Sequence, residues 1–210
     1  MTAKQALIVW GGWNGHEPEE VAGIVGGLLT EEGYAVDISD TLDSFRDAER
    51  LRAVDLIVPI WTMGSIEKEQ LEPLLHAVKE GGTGIAGCHG GMIDAFRQEV
   101  EYQYMVGGQW VSHPGGDGVV YTVNITDRGH PLTEGIDDFE VASEKYYVHV
   151  DPAINVYATT NFDDVRMPVV WTKTYGAGNV YHCTLGHVAN IVRMPQVLEL
   201  MRRGMLWATR

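Results

Sequence analysis

Three histidines of this chain stand beside glycine turns, and histidine is suited to chemistry because its unperturbed pKa lies at about 6.5. His89 sits in Gly87-Cys88-His89-Gly90-Gly91, His16 follows Gly11-Gly12-Trp13-Asn14-Gly15, and His187 follows Gly186. Each turn closes an apolar run with the look of a buried strand. In a parallel sheet such ends share one edge, so rings far apart in sequence can meet there over a glycine floor.

The stretch from Gly84 to Gly91 is the most informative. In hydrolases with a nucleophile elbow, the middle residue of Gly-X-nucleophile-X-Gly makes the attack. Here that residue is His89, and the only nearby thiol, Cys88, comes one position early. Successive strand side chains face opposite ways, which turns Cys88 away from the point at which His89 aims. Gly90 and Gly91 allow a tight turn and close backbone approach.

Two further clusters join these ends. Glu144 is flanked by Tyr146, Tyr147 and His149, and a carboxylate among aromatics can act as acid or base or fix a histidine tautomer. His113 opens a Pro-Gly-Gly loop that could line the same pocket. Trp13 and Trp61, at two strand ends, would supply flat walls for a sugar ring. The expected catalytic set is therefore His89, His187 and Glu144, and the expected ligand-binding set is Trp13, His16, Trp61, Gly90, Gly91 and His113. His16, His89, His187 and Glu144 are also the donor types that hold zinc or a similar divalent metal, though without a local signature such as His-Glu-X-X-His. His76 and His182 are expected to have no chemical role, and Trp10 and Trp207 to be packing residues.

The elements that must position these residues read as an α/β chain. Ala6–Trp10, Tyr34–Ser39, Asp55–Trp61 and Thr83–Cys88 are strand-like. A helix from Pro18 shows apolar residues at Val21, Ile24, Val25, Leu28 and Leu29, and a second spans Glu67–Lys79. A third helix is expected over Met92–Val106. Short strands follow at Val119–Ile125, Phe139–Ala142, Val156–Thr160 and Val169–Thr172, as antiparallel additions at one edge. Asn179–Leu185 returns to the core, and a last helix starts near Pro195. The pattern predicts a mostly parallel central sheet wrapped by helices, in a single domain over residues 1–210.

Composition excludes some functions. A formal charge of −14 over 210 residues argues against nucleic-acid binding, which rests on clustered Lys and Arg. No apolar stretch approaches the roughly 20 residues that span a membrane, and Met1–Gln5 carries no leader-like run, so a cytoplasmic protein is expected. The two cysteines, Cys88 and Cys183, read as buried free thiols. Edge strands over 119–172 could pair in a homo-oligomer, although no letters demand it.

Taken in order, Gly-Cys-His-Gly-Gly at 87–91, Gly-Gly-Gln-Trp at 107–110 with His113-Pro114, His-Pro-Leu-Thr at 130–133 and Ser-Glu-Lys-Tyr-Tyr at 143–147 form a series. Pro-Val-Val-Trp-Thr-Lys at 168–173, Leu-Gly-His at 185–187 and Leu-Met-Arg-Arg-Gly-Met-Leu-Trp-Ala at 200–208 continue it. The series resembles the ThuA-like (trehalose utilization) family within the class I glutamine amidotransferase-like superfamily. That resemblance implies a flavodoxin-like three-layer sandwich and a role in the catabolism of trehalose or related disaccharides and their keto forms. It departs from true amidotransferases, in which the elbow holds Cys and a His-X-Glu follows a late strand. Here His89 holds the elbow, and Val188-Ala189 follow His187, so glutamine hydrolysis is not expected. The expected function is an isomerase or hydrolase acting on a small-molecule carbohydrate. The alternatives are a non-catalytic sugar-binding protein and, third, a Cys88-dependent amidohydrolase.

Overall fold

In the structure, a computed structural model that describes residues 3–210, the chain alternates strand and helix over its first half. The elements there are β1 (Gln5–Gly12), α1 (Pro18–Glu31), β2 (Ala35–Ser39), α2 (Ala48–Ala53), β3 (Leu56–Thr62), α3 (Lys68–Lys79) and β4 (Gly84–Cys88). Two short helices, α4 (Gly90–Ile93) and α5 (Val100–Val106), lead into β5 (Gly108–Ser112), β6 (Val119–Ile125), β7 (Phe139–Ser143) and β8 (Tyr147–Val150). The chain ends with β9 (Asn155–Phe162), β10 (Val165–Tyr175), β11 (Gly178–Cys183), α6 (Ala189–Val192) and α7 (Pro195–Ala208).

Among the described residues, nine strands form one sheet in the order β2-β1-β3-β4-β11-β10-β9-β6-β7. The pairs from β2 to β11 are parallel. Those from β11 to β7 are antiparallel, as the alternating pattern of that region requires. β1, β3, β4 and β11 are mostly buried on both faces and read as nearly unbroken apolar runs, whereas the edge strand β2 is largely exposed. Val25 of α1 and Met201 of α7 pack on one face, and Leu74 of α3 and Tyr102 of α5 on the other. Small residues let these layers close: a Cβ on Gly204 of α7 would fall 2.1 Å from the ring of Tyr181 in β11. The fold is thus the expected three-layer α/β sandwich with antiparallel additions at one edge. Among the described residues, no helix is long and apolar enough to cross a membrane.

One expectation needs correction, and one strand is new. The helix expected over Met92–Val106 is broken after Ile93 and resumes only at Val100. Tertiary bonds take the backbone groups that a continuous helix would use: Met63 N–H donates to the Asp94 carbonyl, and Phe96 N–H to the Met63 carbonyl. The segment after Gly107 is a strand to which the sequence pattern assigns no element. β5 pairs antiparallel with β8 as a separate two-stranded ribbon, with a register shift between Trp110 and Ser112. This ribbon flanks the carboxyl ends of the parallel strands and carries Trp110 to them.

Candidate metal centre

β4 delivers His89 to the edge of the sheet with φ 48° and ψ −146°, a conformation that residues with a Cβ rarely adopt. Backbone bonds hold it there. His89 N–H donates to the Cys183 carbonyl at 2.7 Å, and Nδ1 lies 2.8 Å from the Thr184 carbonyl. A carbonyl only accepts, so Nδ1 carries a proton and the neutral ring presents its lone pair at Nε2. Glu17, Met63 and Phe96 also have positive φ, at 49°, 61° and 48°, and all border the same edge. Strained backbone of this kind persists where the surroundings over-determine it, as at functional sites.

The other rings are fixed in the same manner. His187 is buried, and its Nδ1 lies 3.1 Å from the Asp117 carboxylate, which turns Nε2 inward. His16, on the turn after β1, places Nδ1 2.8 Å from Thr62 Oγ1 and likewise points Nε2 inward. Gly90 lies directly beneath: a Cβ there would come within 2.8 Å of His16 Cε1 and 3.1 Å of the Tyr146 hydroxyl. Gly91 lets α4 press on β3, since its Cβ would fall 3.1 Å from the Ile60 Cα.

Glu144 closes the group from the segment between β7 and β8. It is 6 % exposed, not the solvated edge residue its strand position would allow, and Tyr121 anchors its carbonyl by a hydrogen bond at 3.0 Å. One carboxylate oxygen lies 3.1 Å from His89 Nε2 and 3.9 Å from His16 Nε2. The other lies 3.5 Å from His187 Nε2 and 3.7 Å from His113 Nε2. Donor atoms of His16, His89, Glu144 and His187 all fall within 4.8 Å of one another. Ligands around one tetrahedral zinc ion, at bonds of about 2.0–2.2 Å, are about 3.3–3.6 Å apart, so the four donors would draw closer to share one ion. A second nitrogen bonded to an oxygen is the usual support of a metal-binding histidine.

Electrostatics favours a cation at the centre. Burial pushes Glu144 up, but the contact with His89 and the charges that His89, His187 and His113 carry once protonated outweigh it and hold the carboxyl at about 2. Burial, then the neighbouring His89 and His187, drives His16 down to about 3. Burial also lowers His89 against the opposing pull of Glu144 and the Thr184 carbonyl. Near neutral pH the carboxylate therefore faces the lone pairs of neutral His16 and His89, acceptor against acceptor. A divalent ion would relieve that opposition and use every one of those lone pairs. In the metal-free site the Tyr146 hydroxyl donates to His89 Nε2 at 2.7 Å, a bond that an ion at that nitrogen would replace, and burial raises its pKa well above the ordinary value, so it keeps its proton.

The structure thus brings together His16, His89, His187 and Glu144, with His113 half-exposed at the margin. Beside them lies a cavity of about 110 Å³ whose rim is the exposed indole of Trp13. A larger groove of about 500 Å³ runs along Trp10 and Glu17–Glu20, but it is a surface trough without these histidines. Trp61 goes elsewhere: its ring lies against Gly11 and Gly64, and its neighbour Thr62 is the residue that meets His16. Trp110 takes the wall position expected of it. Thr62, Thr184, Asp117, Asp94 and Tyr146 were missed as site residues; only Tyr146 had a signal, two positions after Glu144 and so on the same side of an extended chain. Cys88 is buried with its thiol toward Gly186, and burial pushes it up to about 12, so it is not a thiolate at neutral pH.

Over residues 5–208 the sequence matches the ThuA family, described as trehalose utilisation. The chain belongs to the ThuA family. The match spans both halves of the site, from His16 to His187. Among solved structures, a ThuA-like protein of Parabacteroides merdae superposes with a TM-score of 0.80 at 19% identity, covering 99% of this chain and 90% of that one. A cytoplasmic protein of Salmonella typhimurium gives 0.70 at 15% identity, with 98% and 97% covered. A Thermoplasma acidophilum protein described as part of a GMP synthase gives 0.60 at 13%, with 98% and 94% covered. At these identities the likeness shows a shared fold. Among curated proteins none matches.

Proposed function

We propose that this ThuA-family protein is a carbohydrate-catabolising enzyme, acting on a disaccharide or its keto derivative at a divalent metal ion held by His16, His89, His187 and Glu144. The observation that carries this reading is the meeting of three imidazole Nε2 atoms with one buried carboxylate, each ring braced from outside by Thr62, Thr184 or Asp117. A bound divalent ion supplies Lewis-acid polarisation of a sugar carbonyl or hydroxyl oxygen. The chain's own groups do the rest. Tyr146 holds a proton beside His89, His113 stands half-exposed at the edge of the cavity, and Trp13 and Trp110 line one side of it. The family's description as trehalose utilisation supports a sugar as the substrate.

The test begins with metal analysis of protein purified without chelator, followed by titration with Zn²⁺ and Mn²⁺. About one ion per chain is expected, and neither retention nor uptake would overturn the reading. The loaded protein is then incubated with trehalose, related disaccharides and their keto derivatives, with product followed by NMR. Turnover that is lost in His89→Gln and Glu144→Gln but kept in Cys88→Ala supports the metal-centred enzyme. Sugar binding without product, in metal-loaded protein, would instead make the chain a binding protein.

A further inference from the structure

The cavity beside the four donors has walls of a distinctive kind. Asp94 borders it with a carboxylate that is 3 % exposed. Arg97 grips that carboxylate with two parallel bonds, Nε to one oxygen at 2.5 Å and a terminal nitrogen to the other at 3.0 Å. Each oxygen has a second lone pair, so the pair can still accept two hydroxyl groups. The same guanidinium lies 4.5 Å from the centre of the Trp110 ring, which fixes that indole as a wall.

The segment that carries Asp94 is built for this placement. Met63 and Phe96 both adopt positive φ, and the two loops are laced by the bonds from Met63 N–H to the Asp94 carbonyl and from Phe96 N–H to the Met63 carbonyl. Two polar atoms on bordering residues, Trp110 Nε1 and His113 Nδ1, are buried and have no hydrogen-bond partner among the described residues. Buried groups of this sort call for a ligand or a water. At the mouth, Trp13 is 47 % exposed. Gly15 lets its indole lie close to the backbone, since a Cβ there would meet the ring at 2.4 Å.

We infer that this hollow is a pyranose subsite. Asp94 accepts a pair of neighbouring hydroxyls of the reacting ring, Trp110 closes the wall, and Trp13 carries the apolar face of a second ring outside. The chemistry that fits is a rigid cyclic polyol, polar at its edge and apolar on its face. A cavity of about 110 Å³ takes only part of a ligand, so the remainder of a disaccharide must rest on the exposed indole. Asp94 is then a specificity residue and not a metal ligand. The inference rests on the carbohydrate reading above for what reacts at the ion, but it makes a separate demand on Asp94 and Trp13.

The experiment titrates metal-loaded protein with trehalose, its keto derivative and methyl glucoside, by calorimetry and tryptophan fluorescence. Asp94→Asn should weaken sugar binding about tenfold or more, the scale of a lost charged hydrogen bond. Trp13→Ala should weaken the disaccharides several-fold and methyl glucoside little, since only a second ring reaches it. Metal content should stay at the wild-type level in both. Wild-type sugar affinity in both variants overturns the subsite and leaves the enzyme reading standing. Loss of metal from Asp94→Asn would make Asp94 a support of the ion site and likewise overturn the assignment. Absence of any sugar binding by loaded wild-type protein would remove both readings together. Should Asp94→Asn fail to fold, the contrast between one-ring and two-ring ligands in Trp13→Ala decides the matter, because that side chain lies at the surface.

Discussion

Asp117 holds its carboxylate 3.1 Å from Nδ1 of His187, although the Asp117 side chain is 68% exposed and that of His187 only 8%. The pair joins a glycine-bordered surface loop to the buried centre. It keeps the His187 proton on the outer nitrogen and aims Nε2 at Glu144.

Removal of that acceptor should be felt at the ion and not in the fold. Asp117→Ala is expected to weaken divalent-metal affinity about 10–100-fold, the usual effect of losing such an outer partner. Competition against a chromophoric chelator measures it, and an unchanged melting temperature of the metal-free protein shows that the fold is intact. Equal affinity in variant and wild type would mean that the contact does not orient the ring.

Gly90→Ala tests the floor. The added methyl would stand 2.8 Å from His16 Cε1 and 3.1 Å from its Nδ1, which is bonded to Thr62. Backbone conformation is not the obstacle, because Gly90 begins a helix and does not have a positive φ. Overpacking of this kind costs about 1–3 kcal/mol. The expected outcome is a lower melting temperature with a loss of metal affinity, and cobalt absorption of the loaded protein should report a distorted ligand field.

The pH dependence of the metal-free protein follows from its buried histidines. His16 binds a proton only at about 3 in the folded chain against 6.5 ordinarily, and burial lowers His89 and His182 as well. Below 6.5 the unfolded chain takes up protons that the folded chain refuses, so stability is full above 6.5 and falls as pH drops toward 3. Glu144, held at about 2 against 4.5, adds a further loss below 4.5. Denaturant titrations between pH 7 and 5 should show this decline. His182 has no partner on either nitrogen among the described residues and lies against the Trp171 ring. His182→Phe should therefore leave stability at pH 7 unchanged or raise it by about 1 kcal/mol. It should also make the decline shallower by up to about 1.4 kcal/mol per pH unit. An unaltered slope would show that His182 is not among the groups responsible.

Much of this site follows from strand ends. The runs before Gly11, Gly64, Gly90 and Gly186 are apolar enough to fix a parallel sheet, and the parallel sheet alone places His16, His89 and His187 on one edge. Glu144 could be suspected from its aromatic neighbours. Other features depend on contacts that no local pattern encodes. Asp94 leaves the helix because Met63, from another loop, claims its carbonyl. Trp61 was expected as a wall, yet Thr62 takes the inward position beside it. β5 and β8 are short and partly exposed, so they lack the apolar signature of the core strands. Asp117 has the letters of an ordinary glycine turn, and only the folded chain shows where it reaches.

The four donors come from the beginning, middle and end of the sequence. An ion shared among His16, His89, Glu144 and His187 is therefore also a clasp that fastens distant stretches of chain to one another. Binding to the folded form alone adds about 4 kcal/mol at a thousandfold excess over the dissociation constant. Scarcity of the ion would then shorten the lifetime of the protein itself, and the cell's supply of metal would govern how much of it survives.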